Sequence, residues 1–237
     1  MDIVLLSGMW LGPSSWDEVV PALEQAGHRA LPVLLPGMDS PQTDRSGIGL
    51  ADWVATAVAA VDAVPGDRSV VLVGHSACAG VAWATVDRRP DRISRAILVG
   101  GFPTPDGEAV GGGQVENGEI PLPDWSGLDD ADLVGLDHDL RAHFRAQAVP
   151  TPARAVLDPQ RLTDERRYDV PVTMVCPEFT ADMLRSWVAA GEPPVAEIPR
   201  IRDLEYVDLP TGHWPQFSRP ADLAGVILAA VDRQPTG

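Results

Sequence analysis

The apolar residues of this chain fall into two patterns that alternate from the N-terminus onward. Short apolar runs closed by turn-forming residues are typical of buried strands, and they cover residues 3–6, 30–35, 69–73, 93–100, 170–176 and 204–209. Between them, apolar residues recur at helical intervals, as at Leu50, Trp53, Ala57 and Val61. Strands that alternate with helices predict an α/β fold with a mostly parallel, twisted sheet and helices on both of its faces.

Turn and capping residues place several helix boundaries. Ser15 to Glu18 has the spacing of a capping box, and Gly27 is typical of a helix end, so a helix is predicted between them. Thr180 opens a second amphipathic segment, and Pro220 opens the last helix.

The regular alternation is interrupted between residues 102 and 167. This segment contains several prolines and a run of three glycines, and its amphipathic pattern through Leu133, Leu136, Leu140 and Phe144 predicts one helix. The glycine run lacks the Lys-Ser/Thr of a phosphate-binding loop. We interpret residues 102–167 as a small lid or cap insertion in a single α/β domain that spans residues 1–237.

Ser76 lies where the strand pattern changes to a helix pattern. It follows the apolar run 69–73 and Gly74, and a stretch of small residues comes after it. Such a sharp turn lifts a serine hydroxyl above the sheet and aims the following helix N-terminus at it. The sequence therefore predicts a nucleophile elbow, although a small residue at an ordinary strand-to-helix turn is the structural alternative.

A serine hydroxyl is a weak nucleophile, so a base must take its proton. His213 lies in a turn after the last predicted strand, within the sequence Thr-Gly-His-Trp-Pro. Because the carboxyl ends of parallel strands share one edge of a sheet, Ser76 and His213 can meet despite their separation. A loop histidine hydrogen bonded to backbone is the alternative interpretation of His213.

Composition and charge narrow the classes of partner. The chain has 237 residues, 45% of them hydrophobic, and a net charge of −16. Without a basic patch, this charge repels phosphate backbones and anionic lipid, so neither nucleic acid nor a membrane is an expected partner. Only two cysteines are present, far apart, and no signal-like or membrane-spanning segment is recognisable, which favours the cytoplasm.

Together, the residues around Ser76 and His213 resemble the α/β-hydrolase superfamily over nearly the whole chain. The resemblance is greatest to small esterases similar to plant methylesterases and hydroxynitrile lyases. This chain has Cys78 where the family elbow, Gly-x-Ser-x-Gly, has its last glycine, and Ser7-Gly8 where the first-strand loop usually has His-Gly. The resemblance implies an oxyanion hole formed by the backbone N–H groups of Met9 and Ala77.

The sequence offers several candidates for the acid, the third member of the expected triad. The resemblance places an aspartate at position 180, where this chain has Thr180, a good helix N-cap. We prefer Glu178 in the same loop, with Asp106 after an earlier strand and Asp182 in the first helical turn as alternatives. A dyad without an acid is a further option.

Other chemical features are better explained structurally. His138 and His143 do not share a helical face, and the acidic run at Asp129, Asp130 and Asp132 is typical of a solvated helix start, so no metal is expected. Cys78 lies at a helix start, where burial is more common than catalysis. The candidate substrate-binding aromatic residues are Trp10, Trp125, Phe144 and Trp214, with Trp187 as a further candidate.

The expected function is a serine hydrolase that cleaves a small, mostly apolar carboxylic ester through an acyl-enzyme, without a cofactor. A lyase that uses the Ser-His pair as a base is the alternative among enzymes. The related lyases use a pocket lysine, and residues 102–167 contain none. A ligand-binding protein that retains only the fold is the alternative outside enzymes. The expected partner is a small molecule, and a homodimer is a candidate assembly.

Overall fold

The computed structural model of the chain describes residues 1–66 and 68–233. Residues 67 and 234–237 of the predicted domain lie outside the described part. The strands are β1 (Asp2–Leu6), β2 (Arg29–Pro32), β3 (Val70–His75), β4 (Ile93–Val99), β5 (Glu119–Ile120), β6 (Thr151–Pro152), β7 (Val172–Cys176) and β8 (Leu204–Asp208). The α-helices are α1 (Val20–Gln25), α2 (Leu50–Asp62), α3 (Cys78–Arg88), α4 (His138–Gln147), α5 (Ala153–Leu157), α6 (Ala181–Ala190), α7 (Pro215–Ser218) and α8 (Pro220–Asp232). Short 3-10 helices cover Pro13–Trp16, Trp125–Gly127, Glu165–Asp169, Pro193–Val195 and Ile198–Arg200.

A six-stranded sheet in the order β2-β1-β3-β4-β7-β8 forms the centre of the molecule. Every pair of neighbouring strands within it is parallel. The predicted parallel sheet is therefore confirmed, and β3 lies inside it between β1 and β4. Since the strands point the same way, the loops after β3, β7 and β8 lie at one edge of the sheet.

Alternate residues along the strands lie in two separate cores, because successive side chains of a strand point to opposite faces of the sheet. Val4, Leu6 and Leu72 lie in the core that also contains residues of α2 and α3. Ile3, Leu5 and Val71 lie in the core on the other face, which contains residues of α1 and α8. Because both faces of the strands are buried, these strands read as continuous apolar runs in the sequence.

The structure corrects two helix starts. The first helix begins at Val20 rather than Ser15, because Ser15 lies in a 3-10 turn, where its buried hydroxyl is within hydrogen-bond distance of the Gly12 carbonyl and of the Ser7 hydroxyl. The predicted helix of residues 133–144 begins only at His138, where the Asp137 carboxylate accepts from the backbone N–H of Leu140. Gly135, with a φ of +80°, breaks the helix before that point.

The lid segment (residues 102–167) leaves the sheet after β4 and returns to it at β7, and β4 and β7 are hydrogen-bonded neighbours. It contains the antiparallel ribbon of β5 and β6 as well as α4 and α5. Some of its apolar side chains, such as Ile120 and Val156, join the core that contains α2 and α3. Others form a separate group, which we call the lid cluster; its buried members are Leu11, Leu133, Leu136, Phe144 and Trp214. The lid segment thus carries a small core of its own, shared with the loops that end β1 and β8.

Among the described residues, no helix combines the length and the apolar character needed to cross a bilayer.

Candidate active site

Ser76 is held in the strained turn that the elbow pattern predicts. Its φ is +55°, in the left-handed region that a residue with a side chain rarely adopts. Its N–H donates to the carbonyl of Val99 at 2.9 Å, and its own carbonyl accepts from the N–H of Ala79 at 2.8 Å. A side chain on Gly74 would collide with the Cys78 carbonyl and with Ala82, so the small residues before and after Ser76 allow the turn to close.

His213 joins Ser76 to Glu178 through its two ring nitrogens. Nε2 lies 2.7 Å from Ser76 Oγ, and Nδ1 lies 2.7 Å from Glu178 Oε1. The carboxylate can only accept, so Nδ1 carries the proton that it donates to Glu178, and Nε2 is left to accept from the Ser76 hydroxyl. The His213 and Glu178 side chains are only 17% and 15% exposed, which limits competition from water.

The structure also places the alternative acids. Asp106 is exposed in the lid segment, where its carboxylate accepts from the N–H of Leu162. Asp182 is exposed in the first turn of α6 and pairs with Arg185, while Thr180 caps that helix by accepting from the N–H of Met183. Of the three candidate carboxylates, the structure brings only Glu178 into contact with His213.

His75, next to Ser76 at the end of β3, fixes the loop that carries His213. Its Nε2 lies 2.7 Å from the carbonyl oxygen of His213, so Nε2 carries the proton and donates, and Nδ1 faces the side-chain amide of Gln216 at 3.3 Å. Burial lowers the pKa of His75 to about 3, and the neighbouring His213 acts in the same direction. His75 is therefore a neutral, fully buried support beneath His213, a role that the sequence pattern did not indicate.

Asp132 is a second carboxylate beside His213 that sequence reasoning assigned to a solvated helix start. One oxygen of Asp132, one of Glu178 and a ring nitrogen of His213 all lie within 4.8 Å of one another. Burial raises the pKa of Asp132, and the charges of Glu178 and Asp129 add to that rise, whereas His213 opposes it. The backbone pairing of residues 132–134 with the loop before His213 was invisible in the sequence pattern.

These three side chains are compact enough to suggest a metal, but their bonding does not fit one. Both ring nitrogens of His213 already have partners in Ser76 and Glu178, so a metal could bind the ring only by displacing one of them. Hydrogen bonding accounts for the arrangement without a cation.

Beside Ser76 lies a cavity of about 390 Å³, a size typical of sites for small ligands. It is bordered by the two predicted oxyanion residues, Met9 and Ala77, by loop residues after β4, and by part of the lid segment; the side chains that shape it include Phe102, Thr104, Glu108, Val110, Pro193 and Pro194. The lining is mainly apolar, with Ser76, Thr104 and Glu108 as its polar members.

The loop after β1 brings Met9 to this cavity. Trp10 has a φ of +65°, and its conformation is held by two hydrogen bonds, from its N–H to Thr151 Oγ1 at 2.9 Å and from its indole N–H to the carbonyl of Ile120 at 3.1 Å. These contacts tie the first-strand loop to the β5–β6 ribbon of the lid segment. The lid therefore helps to shape the loop predicted to supply one oxyanion donor.

The four aromatic residues predicted to line the site do not border the cavity beside Ser76, because their side chains pack with one another. Phe144 and Trp214 are buried in the lid cluster, and Trp10 and Trp125 pack against it. The Trp214 ring is edge-on to the His213 ring, with centroids 5.0 Å apart, so it supports the histidine from the side. Trp187 instead contacts Phe102, which does border the cavity.

Cys78 does not face the cavity. It is fully buried at the start of α3, and burial raises the pKa of its thiol. A buried thiol is a poor nucleophile because the thiolate is the reactive form.

A parallel sheet that carries a strained serine at the end of an inner strand, with a histidine and a carboxylate from later loops of the same edge, is the architecture of the α/β hydrolases. The model of the alpha/beta hydrolase family matches residues 3–226. The chain belongs to this family, which confirms the fold and the family expected from the sequence.

Known relatives include methylesterases. Methylesterase 8 of Arabidopsis thaliana is 27% identical over 253 residues, which cover 97% of this chain and 89% of that protein. The crystal structure of a methylesterase from Arabidopsis superposes with a TM-score of 0.69 at 19% identity and covers 98% of each chain. A tomato methylketone synthase superposes with a TM-score of 0.66 at 13% identity, over 98% of this chain and 96% of that one. The chain is thus a methylesterase-like α/β hydrolase, and this likeness supports esterase activity.

Proposed function

We propose that this protein is a serine esterase that cleaves small, mostly apolar carboxylic esters through an acyl-enzyme. The observation that supports this most is the unbroken series of hydrogen bonds from Ser76 Oγ through His213 to Glu178, with Ser76 in the lining of a mainly apolar cavity. Such a series is what a serine needs to become a nucleophile, since each member fixes the protonation state of the next.

In the proposed reaction, Ser76 Oγ attacks the ester carbonyl carbon while His213 Nε2 takes the hydroxyl proton. The carbonyl oxygen becomes an oxyanion, which the backbone N–H groups of Met9 and Ala77 stabilise. Collapse of this intermediate breaks the bond to the alcohol oxygen, and His213 returns the proton to that oxygen. Water then attacks the carbonyl carbon of the acyl-enzyme while His213 takes a proton from it. Collapse of this second intermediate breaks the bond to Ser76 Oγ, His213 returns the proton to that oxygen, and the acid is released. Glu178 stabilises His213 while its ring is charged.

The cavity favours an uncharged or weakly cationic substrate. Most of its lining is apolar, and its one acidic side chain, Glu108, would repel a carboxylate on the substrate. The volume of about 390 Å³ suits a short acyl chain or a single aromatic ring. We further propose that the protein acts on such small molecules in the cytoplasm, because both of its cysteines are free thiols.

The decisive experiment is labelling by a fluorophosphonate together with turnover of short-chain aryl esters. Wild type should bind one equivalent of label, and Ser76→Ala should lose both labelling and about 10⁴-fold or more in kcat/KM. Ser186→Ala, on the exposed face of α6, is the matched control and should behave as wild type. A wild-type protein that neither labels nor turns over any ester would exclude the hydrolase and leave the lyase or the ligand-binding protein.

A further inference from the structure

We propose that Asp132, on the lid segment, is a positioning residue for His213, which it holds through its backbone and stabilises through its carboxylate charge. This inference rests on the proposed function, because it assigns Asp132 a role in the charge balance of the Ser76–His213–Glu178 site.

The first observation is the backbone contact between the lid segment and the loop that carries His213. The N–H of His213 donates to the carbonyl of Asp132 at 2.9 Å, and the N–H of Gly212 donates to the carbonyl of Val134 at 3.0 Å. A Cβ on Gly212 would overlap with both of these carbonyl oxygens, so any larger residue would push the two segments apart. The position of His213 therefore depends on the lid segment as well as on β8.

The second observation is the arrangement of charge around the imidazole. Asp132 and Glu178 each place an oxygen within 4.8 Å of a His213 ring nitrogen. Glu178 uses Oε1 to accept from His213, while its Oε2 is buried without a hydrogen-bond partner in the described part of the chain. Two carboxyl groups therefore lie beside a ring that becomes positive when it takes the Ser76 proton.

The third observation is that the interaction is mutual. His213 holds the pKa of Asp132 down against a rise caused by burial and by the charges of Glu178 and Asp129. The same attraction between opposite charges stabilises the positive ring that forms when His213 takes the Ser76 proton. His75, whose ring donates to the His213 carbonyl, is neutral and adds no charge beside the imidazole.

Since Asp132 is part of the lid segment, its two contributions are present only while residues 132–134 stay docked. Undocking would release the His213 backbone and remove one of the two carboxylates beside the ring. The lid segment would thus regulate the base directly, in addition to bordering the cavity.

The test is an NMR titration of the His213 ring, which needs no turnover, combined with pH profiles of kcat/KM. Asp132→Asn removes a charge that stabilises the protonated ring. The pH at which the ring gains its proton should therefore be about 0.5–1 unit lower, and the acid limb of the kcat/KM profile should move down by the same amount. Plateau kcat/KM should fall by about 3- to 10-fold. The control Asp130→Asn removes the same charge from an exposed position in the same turn, and both readouts should stay at the wild-type values.

Asp132→Glu separates charge from structure, since it retains the carboxylate and should restore most of the wild-type titration. The proposal is overturned if Asp132→Asn titrates like Asp130→Asn, or if Asp132→Glu shows the same shift as Asp132→Asn. Because the ring titration is read without substrate, a protein that fails to hydrolyse esters would contradict the proposed function and still report on Asp132.

Discussion

Ser76 and Asp132 reach the same site from two regions that are held together in different ways. Ser76 follows β3, whose two faces are buried in the two cores of the sheet and whose neighbours pair with it along its length. Asp132 lies in a turn that is tied to the Gly212–His213 loop by two backbone hydrogen bonds and to the lid cluster through Leu133. The sheet edge thus supplies groups whose positions are fixed by strand register, whereas the lid supplies groups whose positions depend on a small core. This difference predicts that the sheet edge supplies the reacting groups, whereas the lid segment determines selectivity and adjusts the position and charge balance of His213.

The largest expected effect tests whether the acid comes from the sheet edge. Glu178→Gln keeps the size of the side chain but removes the charge that stabilises the protonated His213, so kcat/KM should fall by about 10³- to 10⁴-fold. Asp106→Asn, in the lid segment, should stay within about twofold of wild type because its carboxylate accepts only from a backbone N–H of the lid. Steady-state kinetics on one aryl ester measure both variants, and equal small losses would remove Glu178 from the triad.

The next effect concerns stability. Phe144→Ala removes the centre of the lid cluster, and the cavity should cost about 3–5 kcal/mol of local stability. Leu72→Ala, in β3, should cost about 2–5 kcal/mol but should lower the stability of the whole molecule.

Amide hydrogen exchange distinguishes the two outcomes. In Phe144→Ala, protection should be lost in α4 while β3 keeps wild-type protection; in Leu72→Ala, both should lose protection together. If Phe144→Ala lowers protection in β3 and α4 equally, the lid and the sheet form one cooperative unit, and the lid segment does not depend on a separate small core.

A smaller effect is the pH dependence of stability that His75, at the end of β3, should cause. His75 has a folded pKa of about 3 against its ordinary 6.5, so between these values the unfolded chain binds more protons than the folded protein. The free energy of unfolding should therefore fall as the pH drops through this window, by up to about 1.4 kcal/mol per pH unit.

Urea unfolding of wild type and His75→Gln at about pH 7.5 and about pH 5 measures this contribution. The variant loses hydrogen bonds and should be less stable at both values, but its stability should depend less on pH. His138→Gln, fully exposed on the lid segment, should retain the wild-type pH dependence, and a similar change in both variants would contradict the assignment to His75.

The smallest effect tests the revised cavity lining. Phe102→Ala enlarges the cavity beside Ser76 and should change KM for a short aryl ester by about 3- to 10-fold with little change in kcat. Trp125→Ala, at the edge of the lid cluster, should leave KM within about twofold of wild type. If Trp125→Ala changed KM more than Phe102→Ala did, Trp125 would be a substrate-binding residue.

The elbow and the histidine loop could be predicted because their positions follow from strand period and topology. A buried apolar run, a turn of small residues and a helix define Ser76, and the shared edge of a parallel sheet brings His213 to it. Glu178 could be preferred but not assigned, since its distance from His213 depends on how Thr180 caps α6 and thereby sets the path of the loop.

The lid could not be predicted to the same depth, because its contacts are irregular. Asp132 looked like part of a solvated acidic run, and only the pairing of residues 132–134 with Gly212 and His213 places it at the site. Phe144 and Trp214 looked suitable for a cavity, but an aromatic residue has the same appearance in the sequence whether it lines a cavity or fills a core.

The insertion point of the lid segment has a consequence for how this molecule could be rebuilt. The chain leaves the sheet at the carboxyl end of β4 and re-enters it at the amino end of β7, and these strands are parallel hydrogen-bonded neighbours, so the two ends of the insertion are held one strand length apart by the sheet. The entropy cost of closing such a loop grows only with the logarithm of its length. Segments of very different size could therefore be exchanged between β4 and β7 without changing strand register, which makes the junction a natural site for chimaeras. Such a transplant would also have to bring its own partner for Gly212 and His213.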